Sequence, residues 1–101
     1  MATASTNPLE ATIEKAVCDY AKSLGFMHRK MNGLGSRSWP DRMFLKNGRV
    51  LFIEFKRIGG RLSAGQDLMI NELRRQKICV FVVDTIEKGK EIINEYQRKD
   101  R

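Results

Sequence analysis

The chain has little of what would place it outside the cell or in a membrane. Its two cysteines, Cys18 and Cys79, lie far apart and outside any Cys-x-x-Cys pair. The one histidine, His28, cannot complete a zinc cage with them. A disulfide scaffold and a zinc module are thereby excluded, and both cysteines are expected to be small buried hydrophobes. No apolar run approaches the roughly 20 residues that a membrane span needs. The opening Met1 to Pro8 carries neither the basic start nor the apolar stretch of a secretory signal. The expectation is a soluble cytoplasmic protein with no membrane partner.

What is present fits one small domain. The 101 residues are 42% hydrophobic, enough for one core, and a chain of this length buries roughly two thirds of its unfolded surface. Residues 1–101 read as a single domain, with 1–7 and 97–101 expected to be flexible. The formal net charge is +7, and it is not evenly spread. Between His28 and Arg61 stand nine Lys and Arg against two acids, Asp41 and Glu54, while the rest of the chain holds ten of each sign. A clustered cationic surface suits a phosphate backbone, because each neutralised phosphate releases counterions. A solvated face is the plainer account of such a run. Two acids placed alone inside it are what that account leaves unexplained.

Apolar spacing of three and four at Leu9, Ile13, Ala16, Val17, Tyr20 and Leu24 predicts a helix from Pro8 to Leu24, capped by Thr6 or Asn7 and ended by Gly25. A first strand is expected at Phe26 to Asn32, then a loop from Gly33 to Ser38. Asp41 to Leu45 and Arg49 to Lys56 read as strands joined at Asn47-Gly48, the strongest short hairpin signal. The second of them is apolar on both faces up to Glu54, which marks a central strand. Ser63 and Gln66 have the capping-box spacing. They open a helix to about Gln76 with Leu68, Met69, Leu73 and Ile70 facing inward. Ile78 to Val83 reads as a buried strand. Asp84 to Glu87 caps a last helix that turns Ile86, Ile92, Ile93 and Tyr96 to the core. The order is αβββαβα: an α/β, or mixed α+β, sheet flanked by helices.

The chemistry candidates are Asp41, Glu54 and Lys56. Alternation along a strand points Glu54 and Lys56 to one face, and the Asn47-Gly48 hairpin returns the chain so that Asp41 meets them. Two carboxylates converging in a cationic surface make a hard oxygen site suited to Mg²⁺, with the backbone carbonyl of Phe55 as a third protein ligand. Lys56 beside them would orient a water and donate to a phosphate. Alone, a Glu-x-Lys triplet is most often a surface ion pair and Pro-Asp most often a turn. The ordered set, with the whole basic excess around it, points to a nuclease.

Pro40-Asp41 followed by Glu54-Phe55-Lys56 resembles the PD-(D/E)XK nuclease signature. Glu10 with the helix after it, Lys30-Met31-Asn32-Gly33, and Phe52 to Arg57 running into Gly59-Gly60-Arg61-Leu62-Ser63 and Gln66 narrow the likeness. Together they resemble the virus-type replication-repair nuclease (VRR-NUC) domain over nearly the whole chain. The resemblance implies a restriction-endonuclease-like core and Mg²⁺-dependent hydrolysis of DNA phosphodiesters, with Mn²⁺ as a substitute. It also implies likeness to phage proteins and Holliday junction resolvases, hence a bacterial or phage-infected host, branched or flapped DNA as substrate, and a homodimer whose contact the apolar faces of the first and last helices could supply. By resemblance Asp41 and Glu54 are metal ligands, Lys56 is the catalytic lysine, Glu10 is the helix-one acid and Gln66 the glutamine after the strand. Glu14, one turn from Glu10, remains an alternative acid. Ser38 stands where many members have Gly, and Arg42 where an apolar residue is common. Arg29, Lys30, Arg37, Arg42, Arg57 and Arg61 are the expected DNA contacts. Trp39 is expected to pack and His28 to be a surface residue. The competing expectation is a non-catalytic basic DNA-binding module, or a partner domain of a repair assembly.

Overall fold

The computed structural model describes residues 6–32 and 38–98, with side chains from Leu9 onward. The elements follow the expected order: α1 (Thr6–Ser23), β1 (Met27–Lys30), β2 (Arg42–Lys46), β3 (Arg49–Phe55), α2 (Ala64–Arg75), β4 (Cys79–Val83) and α3 (Ile86–Arg98). Arg37, the Gly33–Gly35 stretch and the capping side chains expected at Thr6 and Asn7 lie outside the described residues and side chains.

The four strands form one mixed sheet in the order β1-β2-β3-β4. β1 and β2, and β2 and β3, pair antiparallel, whereas β3 and β4 are parallel. The hairpin between β2 and β3 turns on Asn47 (φ 51°) and Gly48 (φ 81°), the two positive φ values that a type I′ turn demands. α1 closes on Gly25, whose φ of 93° lets Phe26 N–H reach the Ala21 carbonyl at 3.0 Å.

Strand alternation sorts the core into two layers. Phe44, Leu51, Ile53 and Phe55 pack with Ile13, Val17 and Ala21 of α1 and Ile93 of α3. Phe52, Val80, Ile70 and Leu73 form the opposite layer beneath α2, with Met43 and Trp39 against them. β3 is thus covered on both faces, as its sequence requires. Trp39 packs on Phe52, ring centroids 5.8 Å apart. α1 and α3 approach closely because Gly89 faces Val17.

Several expectations are corrected. Leu9 is half exposed and Leu68 is 71% exposed. Leu68 sits 200° around the helix from Ile70, which α2 buries at 2%. Cys79, the first residue of β4, is exposed, while Cys18 is buried and its thiol is pushed up to about 11 by that burial. Gln97, expected to fray, lies within α3 and accepts from Lys46 Nζ at 2.6 Å. The apolar faces of α1 and α3, expected as a dimer contact, are buried against the sheet and each other. Among the described residues no helix is long and apolar enough to cross a membrane.

Candidate active site

The register of the hairpin makes the site. Arg42 pairs with Ile53 and Lys46 with Arg49, so one step further out Asp41 stands opposite Glu54. Both side chains lie on the α2 face, since Met43 and Phe52 do. One more step puts Pro40 opposite Phe55. Lys56 N–H donates to Val83 on β4 at 2.9 Å, so Phe55 turns its backbone toward β2. There its N–H donates to Asp41 Oδ2 at 2.8 Å. Proline has no N–H to return to the Phe55 carbonyl. The Pro-Asp dipeptide therefore ends the ladder, and its acid takes over the backbone donor that the ladder would have used.

Asp41 is held at both oxygens, Oδ2 by Phe55 N–H and Oδ1 by the Asn32 side-chain amide. Glu54 is 2% exposed. Its Oε2 accepts from Gln66 Nε2 at 3.0 Å and faces Lys56 Nζ at 3.5 Å. Its Oε1 is buried and has no hydrogen-bond partner among the described residues. A buried acceptor left unmet costs about 1–3 kcal/mol, and more when charged. Burial first, then the charge of Asp41, pushes the Glu54 carboxyl up to about 7, against the pull of Lys56. Burial likewise raises Asp41, offset in part by the Phe55 N–H. Two mostly buried acids side by side, one with an unmet oxygen, form a site short of positive charge.

Among the described residues, no three or more His, Cys, Asp or Glu are gathered as a metal cage. The protein donors on offer are the two carboxylates and the Phe55 carbonyl. That set suits a hard cation that keeps several waters, and the unmet Glu54 oxygen is where a cation would relieve a real deficit.

The other expected residues fall in distinct places. Gln66 reaches Glu54 while its Oε1 accepts from Ser63 N–H at 2.9 Å, so the capping box and the site contact coexist. Ser38 packs against the first turn of α2, where a Cβ on Gly65 would come 2.8 Å from its Oγ. Glu14 is bonded to Arg42 Nε at 2.6 Å. Glu10 adds its negative charge to both Asp41 and Glu54. Arg29 and Lys30 are exposed on the edge strand, and Arg57 and Arg61 are exposed in the loop after β3. Arg42 lies on the opposite face of the sheet from Asp41, beneath α1, beside His28. His28 is half-buried there, its imidazole held below its ordinary range by burial and by the Arg42 charge. Asn32 joins the site from two residues beyond β1, just after Met31, whose N–H bonds the Asp41 carbonyl at 2.8 Å; that role becomes legible only once the register is known.

No protein-family model and no curated protein matches the chain. A solved structure described as a VRR_NUC domain superposes with a TM-score of 0.78 at 24% sequence identity, covering 87% of this chain and 97% of its own. The chain has the fold of that VRR_NUC domain, here a four-stranded mixed sheet between helices.

Proposed function

We propose that the chain is a Mg²⁺-dependent DNA endonuclease that hydrolyses phosphodiester bonds in branched or flapped DNA. The observation that carries this reading is the pairing of Asp41 with Glu54, whose buried Oε1 has no partner among the described residues, next to the Lys56 ammonium. The shared fold with a VRR_NUC domain supports it, as does the location of the whole net charge between His28 and Arg61.

In this reading Asp41, Glu54 and the Phe55 carbonyl would hold the cation, with Mn²⁺ able to replace Mg²⁺. Such an ion supplies charge neutralisation on the phosphodiester and lowers the pKa of a bound water. The chain's own groups do the rest. Phe55 N–H and Asn32 fix Asp41 in one orientation, and Gln66 fixes Glu54, so neither acid must reorganise when substrate arrives. Lys56 Nζ donates to the attacking water or a phosphate oxygen and stabilises negative charge there. Glu10 accepts a proton from that water's shell. Arg29, Lys30, Arg37, Arg57 and Arg61 bind flanking phosphates as a sequence-independent track. Two copies of so small a chain would offer two sites to the two strands of a junction.

The test is a panel of linear, flapped and four-way DNA incubated with wild type and Glu54→Gln in Mg²⁺, Mn²⁺ and chelator. Metal-dependent cutting by wild type, at least 100-fold reduced in the variant, is expected. Salt-sensitive binding without any product would instead favour the basic binding module.

A further inference from the structure

Among the described residues two polar ties join α1 to β2, from opposite ends of the strand to the middle and the C-terminus of the helix. At the far end Lys46 Nζ donates to the Leu24 carbonyl at 2.7 Å, closing the helix C-terminus. At the start of β2, next to Asp41, Arg42 Nε bonds Glu14 Oε2 in the middle of α1 at 2.6 Å, the two side chains being 22% and 17% exposed. A second atom of the same guanidinium, Nη1, lies 3.3 Å from His28 Nδ1. The His28 ring in turn rests near Phe44, with centroids 5.9 Å apart. Arg42 is thus gripped twice by its fork and is not a free surface cation.

We propose that Arg42 and Glu14 are positioning residues, a latch that holds Glu10 at the acid pair. This rests on the nuclease reading. Arg42 is the chain neighbour of Asp41, and Glu14 is one helical turn from Glu10 on the same side of α1. The tie therefore links the strand that carries one acid to the turn that carries the other. The apolar contacts of Ile13, Val17 and Ala21 set which face of α1 meets the sheet, but they leave open the exact placement of its N-terminal half along β2. A short, largely buried charge-assisted bond sets it. Glu14 is engaged by Arg42 while its charge still reaches Asp41, whereas the charge of Glu10 reaches both acids. Lys46 provides the internal control, since it ties the same two elements at the end remote from Asp41.

The experiment compares Arg42→Lys, Glu14→Gln and Lys46→Met, each alone and on a Glu10→Ala background. Arg42→Lys keeps the charge and the stem but loses the fork, so folding is retained. Kinetics are read on flapped DNA in Mg²⁺, and amide hydrogen exchange is read on the metal-free protein. Expected are kcat values about 10-fold lower for Arg42→Lys and Glu14→Gln with KM within about twofold, no further loss when either joins Glu10→Ala, and faster exchange over residues 10–15. Lys46→Met should lower stability, speed exchange at the C-terminus of α1, and leave kcat unchanged. Losses that multiply with Glu10→Ala, an effect confined to KM as for a plain phosphate contact, or unchanged exchange over 10–15 would each overturn the latch. Exchange needs no turnover, so it judges the latch even if wild type cuts nothing, an outcome that would sink the nuclease reading instead.

Discussion

Gln66 holds Glu54 and its own helix at once. Its Nε2 donates to Glu54 Oε2 at 3.0 Å, and its Oε1 accepts from the Ser63 N–H at 2.9 Å, while Ser63 Oγ accepts from Gln66 N–H at 3.1 Å. The start of α2 and the orientation of the buried acid are therefore set by one side chain.

Substitutions at Gln66 separate its two duties. Gln66→Ala removes both contacts and is expected to cost about 1–2 kcal/mol of stability together with activity. Gln66→Glu keeps the capping acceptor but places a third carboxylate against Glu54. Stability by urea denaturation at pH 8 should fall less than for the alanine variant, whereas cleavage should fall at least as far.

The raised Glu54 carboxyl gives the metal-free protein a distinctive pH response. Its ordinary value of 4.5 is pushed up to about 7 on folding. Between these values the folded chain retains a proton that the unfolded chain releases. Folding is therefore favoured below the ordinary value, and that contribution is lost as pH rises through about 7. At about 1.4 kcal/mol per pKa unit the loss is on the order of 3 kcal/mol. Denaturation in chelator at pH 5 and pH 8 should show wild type losing this amount relative to Glu54→Gln. Added Mg²⁺ should recover stability at pH 8, and its affinity should climb through pH 7 as the acid ionises.

Lys56 is 18% exposed at its side chain and lies 3.5 Å from Glu54 Oε2. Lys56→Met keeps the apolar stem and deletes the charge. Single-turnover cleavage is expected to slow about 100-fold or more, with DNA affinity in Ca²⁺ changed less than fivefold. A loss mainly of affinity would make Lys56 a binding cation.

Gly89 permits the contact of α3 with α1, since a Cβ there would fall on the methyls of Val17. Gly89→Ala gains helix propensity of about 1 kcal/mol but overpacks the core by about 1–3 kcal/mol. A net fall in Tm is expected, with Val17→Ala on the same chain restoring part of it.

α2 ends on Lys77 in the left-handed region, φ 68°, with Ile78 N–H bonding the Leu73 carbonyl at 3.0 Å. Glycine adopts that conformation without strain. Lys77→Gly should raise stability by about 0.5–1 kcal/mol in thermal denaturation, and leave cleavage unchanged because the position is remote from the acids.

By itself the sequence determined the parts that depend on neighbours along the chain. Asn47-Gly48 specifies its turn because two adjacent residues must tolerate positive φ, and Ser63 with Gln66 specifies a helix start because the bonds close within three residues. Motif order was enough to single out Asp41, Glu54 and Lys56. Tertiary structure decided what depends on partners distant in sequence. Register set Asp41 opposite Glu54 and brought Asn32 to it. The bond between Arg42 and Glu14 engaged one helix acid, whose charge still reaches Asp41, while the Glu10 charge reaches both Asp41 and Glu54. Burial, too, is settled only when layers meet: Leu68 and Cys79 carry apolar side chains in apolar patterns, yet both are exposed, one on α2 and the other at the first position of β4. Hydrophobic spacing states which residues could be covered, and only the packed neighbours determine which of them are.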